Sequence, residues 1–172
     1  MLLVGPRIRQ WVEEVQKAKF SPNAEAVGWG RLPDGIVCGA VFEGYNGANF
    51  FVHIAKLKGA QMPPAFIAAF LDYPFNQTGC RRITAAISER NLAAINFARK
   101  LGARQEGIMP EAHPDGSALL IFGLLRKDAA KWLTAGYQRH LGEKHGRSGQ
   151  RFDCNRLQPR LESRQAASAS RA

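Results

Sequence analysis

Residues 81–107, RRITAAISERNLAAINFARKLGARQEG, decide how this chain folds. From Ile83 to Ile87 β-branched residues alternate with smaller ones, as a strand requires. From Asn91 the apolar period changes. Leu92, Ile95, Leu101 and the alanines at 93, 94 and 98 fit a helix of about three turns. Asn91 is placed to cap the start of that helix, and Gly102 sits where a glycine is expected just past its end.

Working outward, Ile8, Trp11, Val12 and Val15 share one helical face within residues 7–19, and FSPN at Phe20–Asn23 breaks that helix. Three strands follow: Ala26–Leu32, Ile36–Glu43 and Ala48–Leu57. The turns Pro33-Asp34-Gly35 and Gly44-Tyr45-Asn46-Gly47 join them, which makes an antiparallel meander. Lys58–Met62 reads as a loop. Pro63-Pro64 opens a second helix with Phe66, Ile67, Phe70 and Leu71 on its buried face, and Tyr73-Pro74 ends it. Beyond residue 103, Arg104–Met109 reads as a strand, His113-Pro114-Asp115-Gly116 as a turn, and Ala118–Leu125 as an apolar run suited to a central strand covered on both faces. Phe50, Phe51, Phe66 and Phe70 are expected in the core. The order is helix, three strands, helix, strand, helix, two strands: an α/β fold built on a mixed, mostly antiparallel sheet flanked by helices.

The chain has 172 residues, 45% of them apolar and 22% charged, which suits one compact domain with an appendage. No apolar run reaches the roughly 18 residues that cross a bilayer. The start, MLLVGPRIRQ, puts its charges after a very short apolar stretch and is not expected to act as a secretory signal. Cys38, Cys80 and Cys154 are odd in number and widely spaced, so they read as free thiols in a reducing compartment, with no metal site among them. The net charge of +10 is uneven: residues 126–172 hold 11 Lys/Arg against 4 Asp/Glu. We expect a domain over residues 1–133, a short helix near Ala129–Leu141, and a basic, partly disordered tail over 134–172 that attracts polyanions without specifying one.

This order resembles that of the GNAT N-acetyltransferases. The residues that carry the likeness are Asn46-Gly47-Ala48-Asn49, His53-Ile54-Ala55, Phe70 to Gln77, Arg81 to Thr84, Asn91, Leu101-Gly102 with Glu106-Gly107, Asp115-Gly116, Gly123 to Arg126 and Lys131-Trp132-Leu133. They span about residues 25–133. Within the superfamily the chain is most similar to uncharacterised phage-encoded members and to the ribosomal-protein alanine acetyltransferase branch. The resemblance implies acetyl-CoA as donor, and a sheet that opens between its fourth and fifth strands to admit a thioester arm, with His53 beside its tip. It assigns cofactor contacts to Ile54, Ala55, Lys56, Lys58, Gly59, Asn91, Ala94 and Phe97. The family's phosphate loop would fall at Lys58–Met62, where Gly59 stands without the usual partner glycines. Its acidic tyrosine would fall at Ala98. Either another donor protonates the leaving thiolate, or it departs unaided, as the pKa of about 8.5 of a model thiol allows.

Transfer of an acetyl group to an amine needs a deprotonated amine held close to a polarised carbonyl. His53 is the candidate base, since a free imidazole titrates near about 6.5. Glu43, at the end of the preceding strand, would act through a water. Ser88 and Glu89 line the same cleft or form a capping box. Asp115 is a turn residue that in relatives approaches the substrate side. The leading function is therefore acyl-CoA-dependent N-acetyl transfer to a primary amine on a small molecule or protein. Two alternatives stand beside it: a non-catalytic, virion-associated scaffold of the same fold, and a divergent nucleic-acid-modifying enzyme gripping its substrate through the tail. The expected location is the cytoplasm, a phage's host cytoplasm or the virion. Expected partners are the amine acceptor, non-specific nucleic acid and phage virion proteins, with no membrane.

Overall fold

A computed structural model describes residues 1–31 and 35–133. In chain order the elements are β1 (Leu2–Val4), α1 (Pro6–Gln16), β2 (Glu25–Arg31), β3 (Gly35–Glu43), β4 (Asn49–Lys56), α2 (Pro64–Asp72), β5 (Arg82–Ser88), α3 (Leu92–Leu101), β6 (Arg104–Met109), β7 (Leu119–Leu125) and α4 (Ala130–Leu133). The strands form one sheet in the order β1-β2-β3-β4-β5-β7-β6. Every neighbouring pair is antiparallel except β4 with β5. The mixed sheet flanked by helices is thus as the sequence implied. Among the described residues no helix is long and apolar enough to cross a membrane.

Register assigns the faces. Phe50 pairs with Ile83 and Ala85 with Phe122, so all four side chains lie on one side of the sheet. That side is covered by α2 and α3. Phe42 and Phe50 meet Phe70 and Tyr73, while Phe122 packs with Ile95 and Ala98. Phe66, Phe70 and Phe75 are buried, and each fully buried aromatic ring of this kind contributes about 1.5–3 kcal/mol. The opposite face carries α1, whose Ile8 and Val12 pack with Ala26, Val41 and Ala55. Gly28 and Gly39, paired across β2 and β3, let α1 sit close. A Cβ at Gly28 would come within 2.9 Å of Ile8, and one at Gly39 within 2.9 Å of Val12.

Several expectations need correction. The edge strand β1 escaped the sequence reading because three residues give too short a period to register. Tyr73-Pro74 does not end its helix: Tyr73–Gln77 continues as a wider π-helical turn, closed by the Thr78 hydroxyl donating to the Pro74 carbonyl at 2.7 Å. Phe51 is 46% exposed and Leu92 68% exposed, so neither belongs to the core. β7 is an interior strand but is not covered on both faces. Its α3 side is packed, whereas α1 reaches only β1 to β4, leaving Leu119 and Ile121 half-buried. Cys38 and Cys80 are free and buried, as expected, and burial pushes the Cys38 thiol up to about 12. Cys154, the turn residues Pro33 and Asp34, the continuation of the last helix past Leu133 and the basic tail over 134–172 lie outside the described residues.

Candidate active site

The parallel seam is short. Only Asn49–Arg82, Phe50–Ile83 and Phe51–Thr84 pair across it. Beyond that point β4 stays on β3 as far as Lys56, and β5 stays on β7 as far as Ser88, so their inner edges part. Leu57 donates its N–H to the Val37 carbonyl at 2.9 Å, which fixes the alternation along β4. Odd residues address β3, and the backbone groups of Ile54 and Lys56 turn toward the opening. Unpaired strand-edge amides seek partners, and an extended ligand carrying its own amides supplies them. The pairing of β4 with β5 thus ends where the resemblance implied an opening.

His53 and Glu43 stand beside it on the α1 face. The His53 Nε2 lies 3.0 Å from Glu43 Oε1, and both side chains are about 30% exposed (32% and 28%). Glu43 was expected to work through a water, but it contacts the imidazole directly. The segment after α1 secures the pair. Phe20 packs its ring on His53 with centroids 4.6 Å apart, and the Ser21 N–H donates to Glu43 Oε2 at 3.4 Å. Phe20 is itself held by its N–H donating to Glu13, and that bond, with Lys19 and Arg9 nearby, keeps the Glu13 carboxyl below its ordinary range. With Nε2–H given to Glu43, the lone pair of His53 resides on Nδ1, which has no hydrogen-bond partner among the described residues.

The remaining expected residues distribute as follows. Ile54 offers backbone to the opening. Ala55 is turned into the core beneath α1 and pairs by its backbone with Gly39. Lys56 donates its ammonium to the Ala60 carbonyl at 3.1 Å, tying the loop back on itself, while Lys58 is exposed and Gly59 takes φ +79° at the turn. The start of α2 has no side-chain cap, and Pro63 and Pro64 remove two of the N–H groups that would otherwise face an anion. Phe66 N–H is already bonded to the Pro63 carbonyl at 2.9 Å. Asn91 caps α3 as expected, its Oδ1 accepting from Ala94 N–H at 3.1 Å, and Gly102 closes the helix at φ +107°. Ala94 and Phe97 are half-buried on α3. Ala98, at the family's tyrosine position, is buried against Ile95 and Phe122.

Asp115 organises its turn. It accepts from the Ser117 hydroxyl at 2.5 Å, the Ser117 N–H at 2.9 Å and His113 Nδ1 at 2.8 Å, and Arg90 approaches at 3.2 Å. The Ser117 bonds, then His113, hold its carboxyl far below the usual carboxylate range. Glu89 forms no capping box. Its carboxylate accepts the Ala118 N–H at 2.9 Å, and Ser88 meets Ser117 at 3.1 Å, so the end of β5 is tied to the β6–β7 loop.

Sequence reasoning missed three groups. Gln16, at the end of α1, donates its side-chain amide to the Ile54 carbonyl at 2.9 Å, at the edge of the opening. Phe20 and Ser21 were read only as a helix break. A chain of bonds also crosses the closed end of the seam: Arg82 to Glu106 at 2.6 Å, Arg82 to Thr84 at 3.2 Å, and Thr84 to Asn49 at 2.8 Å. No local pattern announces the contacts of Arg82 with Glu106 or of Thr84 with Asn49, 24 and 35 positions apart in the chain.

Solved structures with this fold include N-acetyltransferases. The spermidine/spermine N-acetyltransferase SpeG of Vibrio cholerae superposes with a TM-score of 0.65 at 12% identity, over 76% of this chain and 95% of that one. A dodecameric form of the V. cholerae spermidine N-acetyltransferase gives 0.62 at 14% identity, over 78% and 96%. A putative acetyltransferase from T. thermophilus gives 0.57 at 16% identity, over 76% and 71%. No protein-family model matches the chain. No curated protein matches it by sequence. The fold is therefore that of the GNAT-type N-acetyltransferases.

Proposed function

We propose that this protein is an acyl-CoA-dependent N-acetyltransferase that transfers an acetyl group directly from the thioester to a primary amine. The observation that carries the reading is the parting of β4 from β5 beyond Phe51 and Thr84, with the His53–Glu43 pair beside the opening. Glu43 accepts the Nε2–H and so directs the basic lone pair to Nδ1. His53 takes a proton from the bound ammonium. The free amine attacks the thioester carbonyl, the C–S bond breaks, and sulfur leaves with the electron pair. Backbone N–H groups of β4 facing the opening supply the donors for the arm and its carbonyl oxygen. The pyrophosphate end is held more loosely than a glycine-rich loop would hold it. Lys58 and the Ala65 N–H remain, while two prolines stand where donors would be.

The acceptor is better read as a monoamine, such as a protein N-terminus of the ribosomal-protein kind, than as a polyamine like the substrate named for the V. cholerae enzyme. A polycation needs several uncommitted carboxylates, and Glu13, Glu43, Glu106 and Asp115 each already hold a cationic or histidine partner. The net charge of +10 opposes it as well.

The prolines at α2 and the alanine at position 98 favour a second reading, a non-catalytic scaffold of the same fold. Calorimetry with acetyl-CoA, followed by thiol release in the presence of simple amines, separates the two. Saturable heat and amine-dependent thiol release are expected. The enzyme reading is abandoned if millimolar acetyl-CoA gives neither heat nor a thermal shift.

A further inference from the structure

Gln16 is the last residue of α1, and the chain turns away at once. Lys17 adopts φ +51°, and its N–H and that of Ala18 both return to the Glu13 carbonyl, so the helix end is fixed. The Gln16 amide N–H is spent on the Ile54 carbonyl at 2.9 Å, on the edge of β4 that faces the opening. This leaves its Oε1 with no partner among the described residues. One residue earlier on β4, His53 has spent its Nε2–H on Glu43 and keeps Nδ1 unengaged. Two side chains, one from α1 and one from β4, are thus each held by a bond at one end beside consecutive residues of β4, and each keeps an acceptor atom at the other. Nothing in the packing of α1 requires either to be free, and an exposed glutamine gains little by fixing itself to a strand edge.

We infer that Gln16 holds the acceptor nitrogen, and that the site therefore selects an unhindered primary aliphatic amine. This rests on the N-acetyltransferase reading above. A primary ammonium has three N–H bonds, and each has a destination. One proton passes to His53 Nδ1, which frees the lone pair that forms the N–C bond. A second leaves the adduct nitrogen for the departing sulfur as the C–S bond breaks, giving the thiol. The third stays on nitrogen as the amide hydrogen, donated to Gln16 Oε1 from binding to product. A secondary amine has only two, so completing its amide strips Gln16 of its donor. One neutral hydrogen bond kept or lost is worth about fivefold to tenfold in rate.

The test uses the full chain with n-hexylamine and N-methylhexylamine as matched probes, comparing wild type, Gln16→Leu and Gln16→Glu after thermal melts confirm folding. Wild type should favour the primary amine. Gln16→Leu should lower kcat/KM for hexylamine about fivefold to tenfold, mainly through KM, while N-methylhexylamine stays within twofold. Gln16→Glu, which keeps an acceptor oxygen but loses the N–H that bonds the Ile54 carbonyl, should restore only part of the preference. Equal losses for both amines, or no change in either, overturn the assignment. Calorimetric binding of hexylammonium to the CoA-saturated protein gives an independent readout. If no amine is acetylated, the transferase reading fails, yet tighter binding by wild type than by Gln16→Leu still upholds the amine contact. Equal or undetectable binding ends it.

Discussion

His53 with Glu43 and His113 with Asp115 are both imidazole–carboxylate pairs, at 3.0 and 2.8 Å, with comparable exposure. Their settings differ. The first pair spans two neighbouring strands beside the place where the sheet opens, with Phe20 on the ring and Ser21 on the carboxylate. The second lies within a five-residue loop whose backbone closes on itself, His113 N–H to the Ser117 carbonyl and Gly116 N–H to the His113 carbonyl. There the carboxylate serves Ser117 and Arg90 as well as the histidine. A histidine aimed by one carboxylate beside the parting of two strands is equipped for proton transfer. One that shares its carboxylate with three other donors is equipped to shape a turn.

The strongest way to break this contrast is to remove each imidazole. His53→Ala should lower kcat for acetyl transfer about 100-fold to 1000-fold, and His113→Ala less than threefold, both read by thiol release. A reversed ranking would move the chemistry to the β6–β7 loop. Glu43→Gln keeps the shape but no longer holds the imidazole by charge, and a loss of about tenfold to 100-fold is expected with little change in melting temperature.

Asp115 sharpens the contrast through pH. Its folded carboxyl titrates below its unfolded value, so its stabilising contribution is present above about pH 4 and is lost as pH falls toward the depressed value. Asp115→Asn should therefore flatten part of the acid limb of a stability–pH curve while transfer at neutral pH persists. An unchanged acid limb would deny the loop its organising carboxylate. The smallest effect is expected at Ser21→Pro, which deletes one N–H donor to Glu43 at 3.4 Å. About a twofold to threefold rate loss should appear, against none for Ser21→Ala.

Most of the architecture was legible because it is written in local periods. The strand at Ile83 to Ile87, the cap at Asn91 and the glycine at 102 depend on neighbours within a few residues. What failed to show was decided by distant coverage. Phe51 and Leu92 have the composition of core residues, but Phe51 lies on the α1 face beyond the residues which that helix covers, and Leu92 sits at an exposed helix start. In the site, His53 was visible as a lone histidine on a strand. Its direct bond to Glu43 depends on the register of β3 against β4, which sets Val41 opposite His53 and so puts Glu43 one step along the same face. Gln16 reaches Ile54 across 38 positions of chain, beyond any local pattern.

The paired glycines at 28 and 39 have a consequence well away from where they lie. By withholding two methyl groups they set how deeply the first helix beds into the sheet along its buried face, at Ile8 and Val12. An alanine at either position would act as a shim, tilting that helix and swinging its far tip. On the proposed reading, selection has there a mechanical dial on where Gln16 stands, adjustable without touching any polar group.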